Sequence, residues 1–133
     1  MWRLHAFDVA LESAWKAGVV LAGVSAGSIC WHVGGTTDSF GPDLRVVADG
    51  LGMVPFANGV HYDSEEQRRP LFQSLVQNGD LPVGYATDDG VGLVYRGTEF
   101  AEAVTEADGK AAYLVEPGPD GVALETRLPT RRL

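Results

Sequence analysis

The sequence predicts an α/β fold with a parallel core and antiparallel strands toward its C-terminal end, on three observations. Helix-period and strand-like segments alternate over residues 4–86. After Gly90 only short strand-like runs follow, separated by turn residues. The chain has 133 residues, 45% of them hydrophobic and 21% charged, which suits one domain with a single core; no linker divides it.

The elements follow in order. Leu4, Phe7, Leu11 and Trp15 recur at helical spacing and Gly18 is placed to end the helix, so residues 4–17 read as an amphipathic helix. Val19–Val24 has no polar side chain and reads as a short buried strand; residues 26–33 read as a helix starting immediately after Ser25. Residues 34–60, rich in Gly, Pro, Asp and Thr, read as mostly loop with a few short extended pieces. Ser64-Glu65-Glu66-Gln67 has the form of a capping box ahead of a helix that carries Leu71, Phe72, Leu75 and Val76 and ends at Asn78-Gly79. Pro70 inside that segment either starts a second helical piece or kinks one helix. Val83–Ala86, Val91–Tyr95, Ala111–Val115 and Val122–Thr126 read as strands, some of them paired as hairpins.

Composition narrows the function classes. A formal charge of −8 argues against nucleic acid and against anionic membrane surfaces. No run approaches the roughly 18 apolar residues of a membrane span, and the opening MWRLHAFD lacks the basic-then-apolar order of a signal peptide. The single cysteine, Cys30, forms no internal disulfide, which fits a reducing compartment. The expectation is a soluble cytoplasmic protein.

Chemistry concentrates at Gly23-Val24-Ser25-Ala26-Gly27. A G-x-S-x-G on a strand-to-helix turn has the form of a nucleophile elbow, which pushes the serine hydroxyl outward and presents the next N–H, that of Ala26, to a developing oxyanion. A plain glycine-rich packing turn is the equal alternative. A serine nucleophile needs a base. His5 reads as a surface helix residue, and His32 lies on the elbow helix, pointing away from the hydroxyl. His61, in a loop leading into a helix, is the base by elimination. Asp38, Asp63, Asp88 and Asp89 are the candidate acids. Asp88 and Asp89 follow a predicted strand, at the edge where parallel sheets place their sites, although turn chemistry ahead of Gly90 accounts for them equally simply.

Together, GVSAGSICW (Gly23–Trp31), GGTTD (Gly34–Asp38), GLGMVP (Gly50–Pro55), HYDSEEQRR (His61–Arg69) and GYATDDG (Gly84–Gly90) resemble the peptidase E family of serine peptidases, family S51, the aspartyl dipeptidase and cyanophycinase group. The resemblance runs from about Trp2 to about Val115. It implies part of a class I glutamine amidotransferase-like sandwich, Ser25 as nucleophile and His61 as base. The third triad member, typically Glu in the family, falls at Asp88, with Asp89 one position on. Asp38 of the Thr36-Thr37-Asp38 loop is a substrate-loop candidate. The implied reaction is metal-free release of N-terminal aspartate from Asp-Xaa dipeptides. A cyanophycinase-like or other small-peptide hydrolase, or an inactive binding or assembly remnant, are the alternatives.

An aspartate pocket needs a cation, and Arg68 and Arg69 follow His61, with a solvated helix face as the equal reading. The family's substrate arginine falls nearer Glu65. Family members also carry an N-terminal half with parallel strands and a Gly-Gly-Gly-Asn type loop that supplies a second oxyanion N–H; the match opens just after it. The expectation is a short form whose subunits cover each other, a truncated gene model or fragment, or a remnant that binds without turning over, in each case with Val19–Val24 at or near an uncovered edge. Its apolar surface would drive a homodimer, or a dimer of dimers, with the N-terminal helix in the interface.

Overall fold

A computed structural model describes residues 2–133. The main sheet has six strands: β1 (Gly34–Thr37), β2 (Arg45–Val47), β3 (Ala57–Gly59), β4 (Gly84–Thr87), β7 (Ala112–Glu116) and β8 (Leu124–Leu128), in the order β2-β1-β3-β4-β7-β8. β1, β3 and β4 are mutually parallel, whereas β2 at one edge and β7 and β8 at the other pair antiparallel. A smaller sheet joins β5 (Val91–Arg96), β6 (Glu99–Thr105) and β9 (Thr130–Arg132) in the order β5-β6-β9. The expected α/β class, with a parallel core and C-terminal antiparallel strands, is the observed one.

Alternation along β4 divides the core into two layers. Ala86 faces α3 (Arg68–Asn78) and joins Ala57, Tyr62, Phe72, Val76, Leu81 and Val115 in the buried cluster on that side. Tyr85 faces the other way, stacking on Phe100 of β6 at 4.6 Å and meeting Phe56 edge-on at 5.0 Å. Pro70 sits in the first turn of α3, where its missing N–H has no intrahelical acceptor, so it neither splits nor kinks the helix. Gln67 precedes the helix without a side-chain cap, so the capping box does not form; Gly79, at φ +80°, ends the helix as expected.

Two expectations are corrected. Val19–Val24 is not a buried strand: Val19, Val20 and Val24 are 52%, 88% and 86% exposed, and no described strand lies alongside to take its hydrogen bonds. The elbow helix α2 covers only Ala26–Ile29. Residues 34–60 are mostly loop with three short extended pieces, β1, β2 and β3, as expected. Glycine is a steric requirement in these central strands: a Cβ on Gly35 would lie 2.2 Å from the Asn58 carbonyl oxygen. β6 and β9 were not anticipated, and β8 begins two residues later than Val122.

The N-terminal helix forms where its periodicity places it, as α1 (Phe7–Lys16) after a 3₁₀ turn at Arg3–His5, yet it buries no residue. Leu4, Phe7 and Val9 remain largely exposed.

Candidate active site

Parallel strands deliver their C-terminal ends to one edge. The segments that leave β3 and β4 there carry His61 and the Asp88-Asp89 pair, and the turn before α2 brings Ser25 to the same place. Ser25 has φ 54° and ψ −122°, an uncommon conformation for a residue with a Cβ. The bend is tight enough that a Cβ on Gly23 would sit 1.8 Å from the Gly27 carbonyl oxygen, so the first glycine of the motif is obligatory. Gly27 meets no such restriction. Ser28 anchors the elbow from below: its hydroxyl donates to Asn58 Oδ1 at 2.8 Å, and the buried Asn58 amide donates to the Tyr85 carbonyl at 3.1 Å. The Ala26 N–H meets no acceptor among the described residues.

Ser25 Oγ lies 2.9 Å from His61 Nε2, and His61 Nδ1 lies 2.6 Å from Asp89 Oδ1. The hydrogen bond from His61, followed by that from Ser64, holds the Asp89 carboxyl below its ordinary value against the effect of burial. An ionised carboxylate only accepts, so His61 Nδ1–H donates to Asp89 and Nε2 accepts from the Ser25 hydroxyl. His61 itself adopts φ 55°.

Asp88 turns the other way. Its Oδ2 accepts the Ala111 N–H at 2.9 Å and lies 3.4 Å from the Tyr113 hydroxyl, and burial pushes its carboxyl up. Of the two neighbouring aspartates, the structure brings Asp89 to the imidazole and commits Asp88 to the start of β7.

A cleft of ≈ 600 Å³ opens over Ser25 and His61. Trp15, Val19–Val24, Trp31, Met53, Leu93 and Tyr95 make its walls largely apolar, and among the described residues no lysine or arginine lines it. His32 is buried in one wall, its ring bonded to the Ser28 carbonyl at 2.9 Å and the Tyr95 hydroxyl at 3.1 Å, and burial depresses its pKa. His5 is exposed on the 3₁₀ turn, away from this cleft.

The other candidates stand outside the cleft. Arg68 is almost fully buried and engages Glu65 at 2.7 Å, the Thr36 carbonyl at 3.3 Å and Asp38 at 3.4 Å. It thereby fastens the Thr36–Asp38 segment to the start of α3. Arg69 ion-pairs with Glu125 of β8 and lies over the Tyr62 and Tyr113 rings, 5.1 and 4.8 Å from their centroids. Both cations are paired with carboxylates, Arg68 with neighbouring Glu65 and distant Asp38, Arg69 with distant Glu125. Among the described residues no three His, Cys, Asp or Glu side chains cluster as a metal site requires, and no helix is long and apolar enough to cross a membrane.

The profile of peptidase family S51 matches residues 1–103, more than half of the chain. The protein belongs to peptidase family S51. An uncharacterized peptidase of Bacillus subtilis (strain 168), YgaJ, is 39% identical over 133 residues. The match covers 100% of this chain and 56% of that protein, so the chain spans about half the length of its curated relative. No solved structure matches. Membership of S51 makes the chain a member of a peptidase family. The Ser25–His61–Asp89 arrangement joins three of the motifs on which the sequence resembled that family.

Two contributors to the site escaped the sequence reading in their observed roles. Asp63, considered only as an acid or a helix-start residue, accepts the Asp89 N–H at 2.9 Å. Lys110, which belongs to no sequence motif, ion-pairs with Asp63. The HYD spacing was a signal for the first; nothing local marked the second.

Proposed function

We propose that the protein is a serine peptidase acting on short peptides, with Ser25 as nucleophile, His61 as general base and acid, and Asp89 as the carboxylate that orients the imidazole. The observation that carries this reading is the unbroken hydrogen-bonded chain Asp89–His61–Ser25, with the serine on a strained elbow. Ser25 Oγ attacks the peptide carbonyl carbon as its proton passes to His61 Nε2. The Ala26 N–H faces the resulting oxyanion. His61 then protonates the leaving amine as the C–N bond breaks. Water, deprotonated by the same nitrogen, hydrolyses the acyl-enzyme and restores Ser25.

The family resemblance supports N-terminal aspartate, hence Asp-Xaa dipeptides, as the substrate. The cleft favours a second reading, a small-peptide hydrolase that accepts an apolar side chain, because its walls are largely apolar and, among the described residues, no lysine or arginine lines it. We also propose self-association through the exposed apolar faces of α1 and Val19–Val24, as a homodimer or a dimer of dimers in the cytoplasm. Trp15 and Val19–Val24 line the cleft as well, so a second copy on that face would complete its wall.

The test is amine release from Asp-Leu, Leu-Leu, Phe-Leu and Lys-Leu by the full chain, with Ser25→Ala as control. Preferential cleavage of Asp-Leu supports the aspartyl dipeptidase reading, and preferential cleavage of Leu-Leu and Phe-Leu supports the second. A folded chain that cleaves none of them would contradict peptidase action and leave a binding or assembly module.

A further inference from the structure

Asp63 closes a ring around the His61–Asp89 hydrogen bond. It lies two residues beyond His61, and its Oδ1 accepts the Asp89 backbone N–H at 2.9 Å, while the Asp89 carboxylate returns to His61 Nδ1 at 2.6 Å. Its other oxygen is ion-paired with Lys110 Nζ, from the loop that leads into β7. The Tyr62 N–H donates to the Thr87 carbonyl at 3.0 Å, adding a backbone rung between the same two segments.

We propose that Asp63, backed by Lys110, is a positioning residue: it fixes the Asp89 backbone so that the Asp89 carboxylate is set against His61. The catalytic consequence rests on the serine peptidase reading above; the positioning itself does not. Asp89 is about half exposed, so without Asp63 its N–H would turn to water at small cost in stability. What would be lost is the direction of the carboxylate. Burial works to raise the Asp63 carboxyl, but Lys110 and the Asp89 N–H hold it below its ordinary value, so it remains a charged acceptor at neutral pH. The exposed part of the Asp63–Lys110 pair contributes little by itself; its effect is to keep Asp63 aimed at Asp89. His61 has an uncommon backbone conformation, at φ 55°, and both side chains are partly exposed, so the Asp63 contact adds a restraint where neither side chain is locked by burial.

The experiment uses the full chain and two readouts. One is the rate at which a fluorophosphonate, which forms an Oγ–P bond as the P–F bond breaks, labels Ser25. The other is the low-field proton resonance of His61 Nδ1–H, assigned by its loss in His61→Gln, which requires no turnover. Asp63→Ala should slow labelling roughly tenfold, the equivalent of one lost hydrogen bond, and should remove or broaden the resonance while the melting temperature changes little. Asp63→Asn keeps an acceptor for the Asp89 N–H but loses the ion pair with Lys110, so it should fall between the wild type and Asp63→Ala in both the resonance and the labelling rate. An Asp63→Ala protein with an unchanged resonance would overturn the proposal, as would an Asp63→Asn protein as impaired as Asp63→Ala. A wild type that shows the resonance but never labels would refute the serine nucleophile and leave the positioning role to be decided by the resonance in the two variants.

Discussion

Replacing Asp89 by Asn leaves the volume of the side chain and removes its charge. In the transition state of the proposed reaction the imidazole becomes a cation facing that carboxylate. The two side chains are 31% and 49% exposed, so the pair lies between surface and bulk water in its screening. With an effective dielectric of about 40 and charges about 4 Å apart, the attraction is roughly 2 kcal/mol, which is about 30-fold in rate. An amide at this position can also donate to Nδ1 and fix the wrong tautomer, which deepens the loss. The half-exposed setting keeps it well short of the roughly 10⁴-fold effect of a buried triad carboxylate. The assay is the second-order rate of Ser25 labelling by a fluorophosphonate, followed by intact mass. Asp88→Asn is the internal comparison: it disturbs the Ala111 and Tyr113 contacts, so it should lower the melting temperature more than Asp89→Asn does and reduce labelling less. If Asp88→Asn instead costs the larger loss of labelling, the assignment of Asp89 as the orienting acid is refuted.

Two further outcomes are expected. Light scattering at micromolar concentration should give a mass of at least twice 14.2 kDa, and Phe7→Glu, on the exposed face of α1, should lower it; a clean monomer in the wild type contradicts self-association. Glu125 should contribute to acid lability. Burial raises its pKa, but Arg69, Tyr62 and Gln73 together draw it below the ordinary 4.5. A depressed folded-state value means that the stabilisation is complete above 4.5 and is lost as pH falls through the lower value. Glu125→Gln should therefore flatten the acid limb of a stability-versus-pH curve; an unchanged acid limb would show that this network carries none of it.

The legible parts of the molecule are those whose chemistry is local. The elbow shows in the sequence because its first glycine is sterically required and its serine lies between a strand-like run and a helix. His61 shows because no other histidine stands in a suitable loop. The positions of the central strands β1 and β3 do not show beyond short extended pieces, because Gly34, Gly35, Ala57 and Gly59 are small to allow close packing, not chosen for strand propensity. β6 was hidden by Glu99, Ala101 and Ala103, although the two-residue Gly97-Thr98 turn was a hairpin signal. Val19–Val24 has the composition of a strand, but a strand also requires a neighbour to pair with, which composition does not report. The distinction between Asp88 and Asp89 was illegible for a similar reason: it depends on the Ala111 N–H, which only the folded chain brings to Asp88. Arg68 and Arg69 belong to the His61 motif in sequence, yet Glu65 with distant Asp38 holds the first and distant Glu125 the second.

The central claim is that Ser25 is a nucleophile activated by His61. Peptide mapping by mass spectrometry after fluorophosphonate treatment tests it most directly. The account predicts one adduct, on Ser25, that is absent in Ser25→Ala and strongly reduced in His61→Gln. An adduct on another residue, no adduct on a folded wild type, or undiminished labelling of Ser25 in His61→Gln would contradict it.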